Sequence, residues 1–111
     1  MIDGFNFSFD ETNEQTTHLD EIPGGFGKFG WEKTNPIPIE GISNNKHYLS
    51  ALRYNGLPII YQRKGSTRSD NILDIIDHYE IFDIDHQLLG SLFLCPYHLK
   101  NSEKAPEGLT F

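Results

Sequence analysis

The alternation of apolar and polar residues predicts strands in the second half of the chain. The clearest element is a hairpin from His47 to Lys64, in which Asn55-Gly56 separates two apolar runs. This dipeptide suits the left-handed geometry of a type I′ turn. Pairing outward from the turn predicts three cross-strand pairs: Tyr54 with Leu57, Leu52 with Ile59, and Ser50 with Tyr61.

Two elements fit the segment that follows a predicted loop over residues 65–71. Within residues 72–84, apolar residues recur at helical spacing, and Ser69 or Asp70 could cap a helix. The same segment is rich in Ile, Tyr and Phe, which favour strands. We expect a strand from about residue 75 to 84, with one helical turn before it left open.

The C-terminal part predicts one buried strand and a surface tail. Residues 85–90 form a predicted turn, and residues 91–98 are apolar on both faces, as in a central strand. Pro96 must lie near the end of that strand or at a bulge, because it cannot donate to the ladder. Residues 100–111 are polar, and we expect Leu109 or Phe111 to anchor them.

The N-terminal third predicts edge elements and tight turns. Alternating phenylalanines at positions 5, 7 and 9 indicate an edge strand, and residues 10–20 a loop or loose arm. In residues 23–30 we expect a glycine-rich turn that packs Phe26, Phe29 and Trp31. Residues 35–39 must be extended, since each residue before a proline is restricted, and they predict an edge strand or a strap.

Together these patterns predict a mainly β, or α+β, fold with one antiparallel meander of at least four strands. We expect the 111 residues to form a single domain, with residues 1–21 as an acidic arm or edge strand and residues 22–111 as the core. Eight Phe, five Tyr and one Trp supply enough aromatic surface for that core.

Charge is segregated along the chain, whose net charge is −7. Residues 1–21 and residues 70–85 each hold six acids and no Lys or Arg, whereas residues 28–68 hold seven bases and two acids. Cross-strand pairing of the basic segment with the acidic ones would explain this. The alternative is a two-signed surface that steers a charged partner.

Several classes of protein are disfavoured by composition. The single cysteine, Cys95, excludes an intrachain disulfide and favours a reducing compartment. The N-terminus lacks the basic and apolar regions of a signal peptide, and no apolar run approaches the length of a membrane helix. We expect a cytoplasmic protein with no membrane contact, and the negative net charge disfavours nucleic-acid binding.

Gly25, Gly27 and Gly30 match a G-x-G-x-x-G pattern, but the context disfavours a phosphate site. The dinucleotide version opens a helix whose N-terminal amides hold the pyrophosphate. Here two prolines follow within a few residues and forbid that helix.

Histidine, cysteine and arginine residues could line a small pocket on the sheet. We consider His78, Cys95, His98, Arg53 and Arg63 as such a set, with His47 and His86 nearby in sequence. The tight paired motifs of zinc sites are missing, and a cysteine nucleophile would need an electropositive setting. We therefore predict no metal, no cofactor and no catalytic group, and Cys95 as a packed thiol.

Two charged groups could contact other molecules. The acids of the second acidic segment could form a partner-contact face, namely Asp74, Asp77, Glu80, Asp83 and Asp85. The bases Arg53, Arg63, Lys64 and Arg68 could bind phosphate, or pair with those acids.

The strings TNPIP, at residues 34–38, and KAPEG, at residues 104–108, carry a resemblance. With the preceding FGKFG and the YH pair at 97–98, the chain from about residue 25 to 109 resembles a family of small uncharacterised bacterial proteins. The resemblance implies a bacterial origin and a single domain, and it implies no activity.

Three functions remain open at this point. The first is a non-enzymatic protein-binding module of immunity or inhibitor type that caps a basic protein partner. The second is a small ligand- or metal-binding enzyme using His, Cys and Arg side chains on the sheet. The third is a self-associating structural protein, a homo-oligomer in which an open edge near Asn35–Ile39 pairs with another copy.

Overall fold

The computed structural model describes residues 19–111, so the predicted strand at residues 5–9 and most of the acidic arm lie outside it. Its elements, in chain order, are β1 (Ile37–Pro38), α1 (Asn44–Ala51), β2 (Arg53–Tyr54), β3 (Leu57–Pro58), β4 (Ile60–Ser69), β5 (Ile72–Phe82) and β6 (Leu88–Cys95). The mainly β character predicted from the sequence is confirmed.

Four strands form the main sheet in the order β1-β6-β5-β4. The successive strands β4, β5 and β6 pair antiparallel, whereas β1 runs parallel to β6, with Ile37 opposite Leu94. The prediction of a purely antiparallel meander is therefore wrong. Short turns force the antiparallel pairs, but the chain between β1 and β6 is long enough to return in either direction.

The hairpin of β4 and β5 is longer than predicted. The expected loop over residues 65–71 shrinks to Asp70-Asn71, and no helical turn precedes β5 in the described part of the chain. Register shifts between Arg63 and Gly65 and between Thr67 and Ser69 let this polar segment continue the ladder. Gly65 takes a φ of +134°, which a glycine adopts without strain.

The Asn55-Gly56 turn is confirmed, but the hairpin around it is short. Asn55 and Gly56 have φ values of +52° and +79°, and Tyr54 lies opposite Leu57 as predicted. The ladder ends at Arg53 with Pro58, so the predicted pair of Leu52 with Ile59 does not form, and Ser50 cannot pair with Tyr61 because residues 44–51 form helix α1.

Helix α1 buries Asn45, Tyr48 and Leu49, with Leu52 following one turn later. These positions have the i, i+3, i+4, i+7 spacing of one helix face. An asparagine stands where the pattern calls for an apolar residue, and this hid the helix from the sequence analysis.

The main core lies between α1 and one face of the sheet. Its fully buried members come from β1 and the residue after it, α1, β5 and β6, and include Ile37, Ile39, Leu49, Ile81, Leu92 and Leu94. A smaller cluster of Ile72, Ile76 and Cys95 lies on the opposite face. The C-terminal part of β6 is thus buried on both sides, as predicted, with Leu92 and Leu94 on one face and Cys95 on the other, whereas Leu88 at its start is exposed. Pro96 follows its last residue.

The C-terminal tail closes the β1 edge of the sheet. Ile39 donates its N–H to Cys95 O at 3.0 Å, and Ser102 donates to the Pro38 carbonyl at 2.9 Å on the other side of the strand. The edge near Asn35–Ile39, predicted to be open for self-association, is therefore covered at Pro38. Leu109 is buried and anchors the tail, as predicted.

Within residues 19–111, helix α1 has eight residues, and no helix is long and apolar enough to cross a membrane.

Candidate functional site

Asp77, one of the five acids predicted to contact a partner, is buried on the α1 side of the sheet. Its Oδ1 lies 3.1 Å from Arg63 Nη2, and its Oδ2 accepts a hydrogen bond from Asn45 Nδ2 at 2.9 Å. Asn45 is fully buried, and its Oδ1 has no partner among the described residues. This carboxylate therefore stabilises the join between α1, β4 and β5.

Glu80 lies on the opposite face, where its carboxylate is 3.6 Å from Lys64 Nζ on the neighbouring strand. With the Arg63–Asp77 pair, this contact confirms cross-strand pairing between the basic segment and the second acidic segment. Asp74 is half-buried near Cys95 and His98, and its negative charge raises the pKa of both groups.

The remaining two acids, Asp83 and Asp85, lie in the turn between β5 and β6. Asp83 Oδ1 accepts the N–H groups of Asp85 at 2.9 Å and Gln87 at 3.0 Å. The Asp83 N–H in turn donates to Gln87 O at 3.0 Å, and His86 takes a φ of +66°. These bonds hold the turn in one conformation and leave Asp85 exposed.

This turn and the β2–β3 turn together enclose a small hollow of about 120 Å³, called here the turn hollow. It is lined by Tyr54, Asn55, Leu57, Asp83, Ile84 and Asp85. The side chains of Leu57 and Ile84 are 47% and 48% exposed. No Lys or Arg is among the lining residues, so the hollow combines apolar surface with two negative charges and can receive a long cationic side chain.

The histidine, cysteine and arginine residues of the predicted pocket lie in separate parts of the fold and do not form one pocket. Arg63 lies on the α1 side of the sheet, where it contacts Asp77. His78 lies on the opposite face, stacked on Phe93 with ring centroids 4.8 Å apart. Arg53 lies outside the main sheet, and its Nη1 donates to backbone carbonyls at 2.9 Å.

Cys95 is fully buried in the smaller cluster. Burial raises the pKa of its thiol to about 12, and the negative charge of Asp74 adds to the rise. A thiol in this state is a poor nucleophile at neutral pH. Within residues 19–111, no three His, Cys, Asp or Glu side chains converge closely enough to hold a metal ion.

His98 is half-buried, and burial lowers its pKa. It lines a hollow of about 320 Å³ with Leu73, Asp74 and Tyr97 among its neighbours. The structure thus places His98 and Asp74 at one surface, but separates them from His78 and from both arginines.

The glycine-rich segment forms turns, and the next helix, α1, begins only at Asn44. Phe29 is buried and Trp31 packs against the core, as predicted. Phe26 departs from the prediction, because its side chain is 61% exposed.

Phe26 lines a third hollow, of about 420 Å³, called here the basic hollow. Lys33 comes from the segment after the glycine turns, and Arg68, Asp70 and Asn71 come from the end of the β4–β5 hairpin. Sequence reasoning placed Arg68 in a basic group but missed Lys33, since only the folded hairpin brings the two segments together.

Sequence reasoning also missed Ser91. Its hydroxyl lies 2.7 Å from His78 Nε2 across β5 and β6. The alternation of β6 could have placed Ser91 on the same face as Phe93, but the register with β5 was needed to bring it beside His78.

Comparison of the chain with protein-family models, curated proteins and solved structures finds no match.

Proposed function

We propose that the protein is a protein-binding module of immunity or inhibitor type, and that the turn hollow contacts a basic protein partner. The observation that carries this proposal is the turn hollow itself. It joins exposed Leu57 and Ile84 to the carboxylates of Asp83 and Asp85. Among residues 19–111, no Lys or Arg forms an ion pair with either carboxylate.

Apolar and charged groups have separate roles in such a contact. Exposed apolar side chains in a hollow supply the anchor that a partner side chain buries. Carboxylates beside them attract a cationic partner and speed its association, and the net charge of −7 acts in the same direction.

The backbone of the turn hollow favours tight binding. Asp83 fixes one turn through two hydrogen bonds, and Asn55-Gly56 fixes the other in a left-handed conformation. Loops that are already ordered lose little conformational entropy when a partner binds. Asp77 and Glu80 are engaged with their own cross-strand bases, so we assign the contact to Asp83 and Asp85.

The test is capture and reconstitution of a defined complex. Affinity-tagged protein is used to isolate a partner from the source cells, and the partner is identified, purified and titrated back by calorimetry. The variant Ile84→Ser/Asp85→Asn removes one apolar and one acidic group from the turn hollow. Leu73→Ser/Asp74→Asn is the matched control. It also replaces an exposed aliphatic residue by serine and the aspartate after it by asparagine, so it removes the same kinds of group outside the turn hollow.

We expect a partner with a basic surface, whose affinity falls about 30-fold in the first variant, equivalent to about 2 kcal/mol, and changes little in the control. Added salt should weaken binding of the unaltered protein. A partner that binds the first variant as tightly as the unaltered protein would exclude the turn hollow as the contact.

One contact favours a second candidate, a small hydrolytic enzyme. The His78 ring nitrogen lies 2.7 Å from the Ser91 hydroxyl, which is the distance between a base and the nucleophile that it activates. Incubation with phenylmethylsulfonyl fluoride, followed by peptide mass analysis, tests this candidate. Labelling of Ser91 that is lost in His78→Gln would support it, and an unlabelled serine would end it.

A further inference from the structure

Three segments of the chain are tied together beneath the basic hollow. Asn71 Nδ2 donates to Gly24 O at 3.0 Å and to Thr34 O at 2.7 Å, so it joins the hairpin end to both other segments. Thr34 Oγ1 donates to Phe26 O at 2.6 Å, and Phe26 N–H donates to Thr34 O at 3.1 Å. These hydrogen bonds join the polar groups at the floor of the hollow to one another, so the hollow exists before a ligand binds.

The side chains around this floor have a different character. Lys33 and Arg68 are exposed, and neither forms an ion pair with another described residue. Two neighbouring bases on β4 do form ion pairs, since Arg63 contacts Asp77 and Lys64 contacts Glu80. Two cations in one hollow of an acidic chain, neither paired with an acid of residues 19–111, indicate a site for an anion.

We propose that the basic hollow binds a phosphate monoester attached to a planar ring, as in a nucleoside monophosphate. The Arg68 guanidinium can donate two parallel hydrogen bonds to phosphate oxygens, and Lys33 adds a second positive charge. The exposed Phe26 ring offers a face on which a planar ring stacks. The volume of about 420 Å³ falls within the range of small-molecule sites.

Asp70 lines the same hollow, and its negative charge limits how many phosphate groups a ligand can carry. Its carboxylate can accept a hydrogen bond from an amino or hydroxyl group of the ligand, but it repels a neighbouring phosphate. A single phosphate on a ring therefore fits better than a polyanion, which the net charge of −7 also disfavours.

The experiment titrates the full chain with four probes by calorimetry: adenosine monophosphate, ribose 5-phosphate, adenosine and inorganic phosphate. Arg68→Gln removes the guanidinium and Phe26→Ala removes the ring. Lys46→Gln is the control, because Lys46 is an exposed base on α1, away from the hollow. Thermal unfolding of each variant checks that the fold is retained.

We expect adenosine monophosphate to bind at least 10-fold more tightly than any of the other three probes. Arg68→Gln should weaken it about 10-fold or more, whereas Lys46→Gln should leave it unchanged. Phe26→Ala should weaken adenosine monophosphate but not ribose 5-phosphate.

Either of two results would overturn the proposal: no saturable binding of adenosine monophosphate, or equal loss of binding in Arg68→Gln and Lys46→Gln. Equal binding of all the phosphates would overturn the proposal as well, because it would show an anion site without ring recognition. None of these outcomes bears on the turn hollow, because the two hollows share no residue.

Discussion

The buried pair of Asn45 and Asp77 leads to a prediction about stability. Asn45 Nδ2 donates to the Asp77 carboxylate at 2.9 Å, and the Asp77 side chain is only 7% exposed. A buried hydrogen bond to a charged group contributes about 1.5–3 kcal/mol, and a partner left alone adds the cost of an unsatisfied group. Asn45→Leu or Asp77→Val alone should therefore each cost about 2–3 kcal/mol of the free energy of unfolding.

The double variant Asn45→Leu/Asp77→Val should cost about 1 kcal/mol or less, because two apolar residues then meet and neither member of the pair is left without the other. The Tyr79 hydroxyl loses only a long contact with Asn45 Nδ2, at 3.4 Å. The unpartnered Asn45 Oδ1 also disappears in this variant, which removes a buried polar atom. Arg63 loses its ion-pair partner, but it still donates to the Ser66 hydroxyl at 3.0 Å, and its side chain is 50% exposed and can be solvated.

Urea unfolding followed by the fluorescence of Trp31 measures these changes, since this single tryptophan packs against the core. Lys46→Leu, at the next position of α1, is the control and should shift stability by no more than about 0.5 kcal/mol. The reasoning would be refuted if the two single costs simply added in the double variant, because the residues would then not act as a pair.

Three further predictions concern single residues. Burial lowers the pKa of His98 below 6.5, so the contribution of the neutral ring to stability is complete above that pH and is lost as the pH falls through the folded pKa. The free energy of unfolding, measured in urea, should therefore fall between neutral and mildly acidic pH, and His98→Gln should reduce this fall. The Cys95 thiol, with its pKa raised to about 12, should react with Ellman's reagent only in urea, and prompt reaction of the folded protein would contradict its burial. Gly30→Ala should lower stability by about 1–3 kcal/mol in the same assay, because Gly30 has a φ of +79° and an added Cβ would lie 2.9 Å from Ile37 Cδ1 and from Pro106 Cγ.

The parts of the fold that follow from neighbouring residues could be predicted from the sequence. Asn55-Gly56 gave the turn, and the prolines at 36 and 38 gave the edge position of β1, because both effects act within a few residues. The apolar stretch of β6 gave a buried strand for the same reason.

The parts that depend on tertiary contacts could not. Helix α1 could be predicted only by knowing that the buried Asn45 donates a hydrogen bond to a carboxylate on β5. Strand β4 continues through Gly65 only because β5 lies beside it. The parallel direction of β1 depends on the route of the chain through α1, which leaves no local signal.

The candidate sites divide in the same way. Asp83 and Asp85 were among the predicted contact residues, but the apolar half of the turn hollow comes partly from Leu57, the first residue of β3. Lys33 and Arg68 carry no shared pattern in the sequence, since they meet only where the hairpin end reaches the glycine turns.

The strings TNPIP, at residues 34–38, and KAPEG, at residues 104–108, meet inside the protein. Ile37, from TNPIP, and Pro106, from KAPEG, both lie against Gly30, with no space for a side chain there. Ile37 and Pro106 therefore have a packing role, and neither string supplies a charged group to the turn hollow or the basic hollow.

The segregation of charge along the sequence is explained by the ion pairs along β5. In the middle of the strand, Asp77 and Glu80 are matched by bases on β4, so the two segments cancel there. The unmatched charges remain at the ends, with the basic hollow before β5 and Asp83 and Asp85 after it. Eleven residues at about 3.3 Å each separate these ends by roughly 35 Å, several times the distance over which salt screens a charge. Each hollow therefore presents its own sign of charge to a ligand, and a partner can occupy one without altering the field at the other.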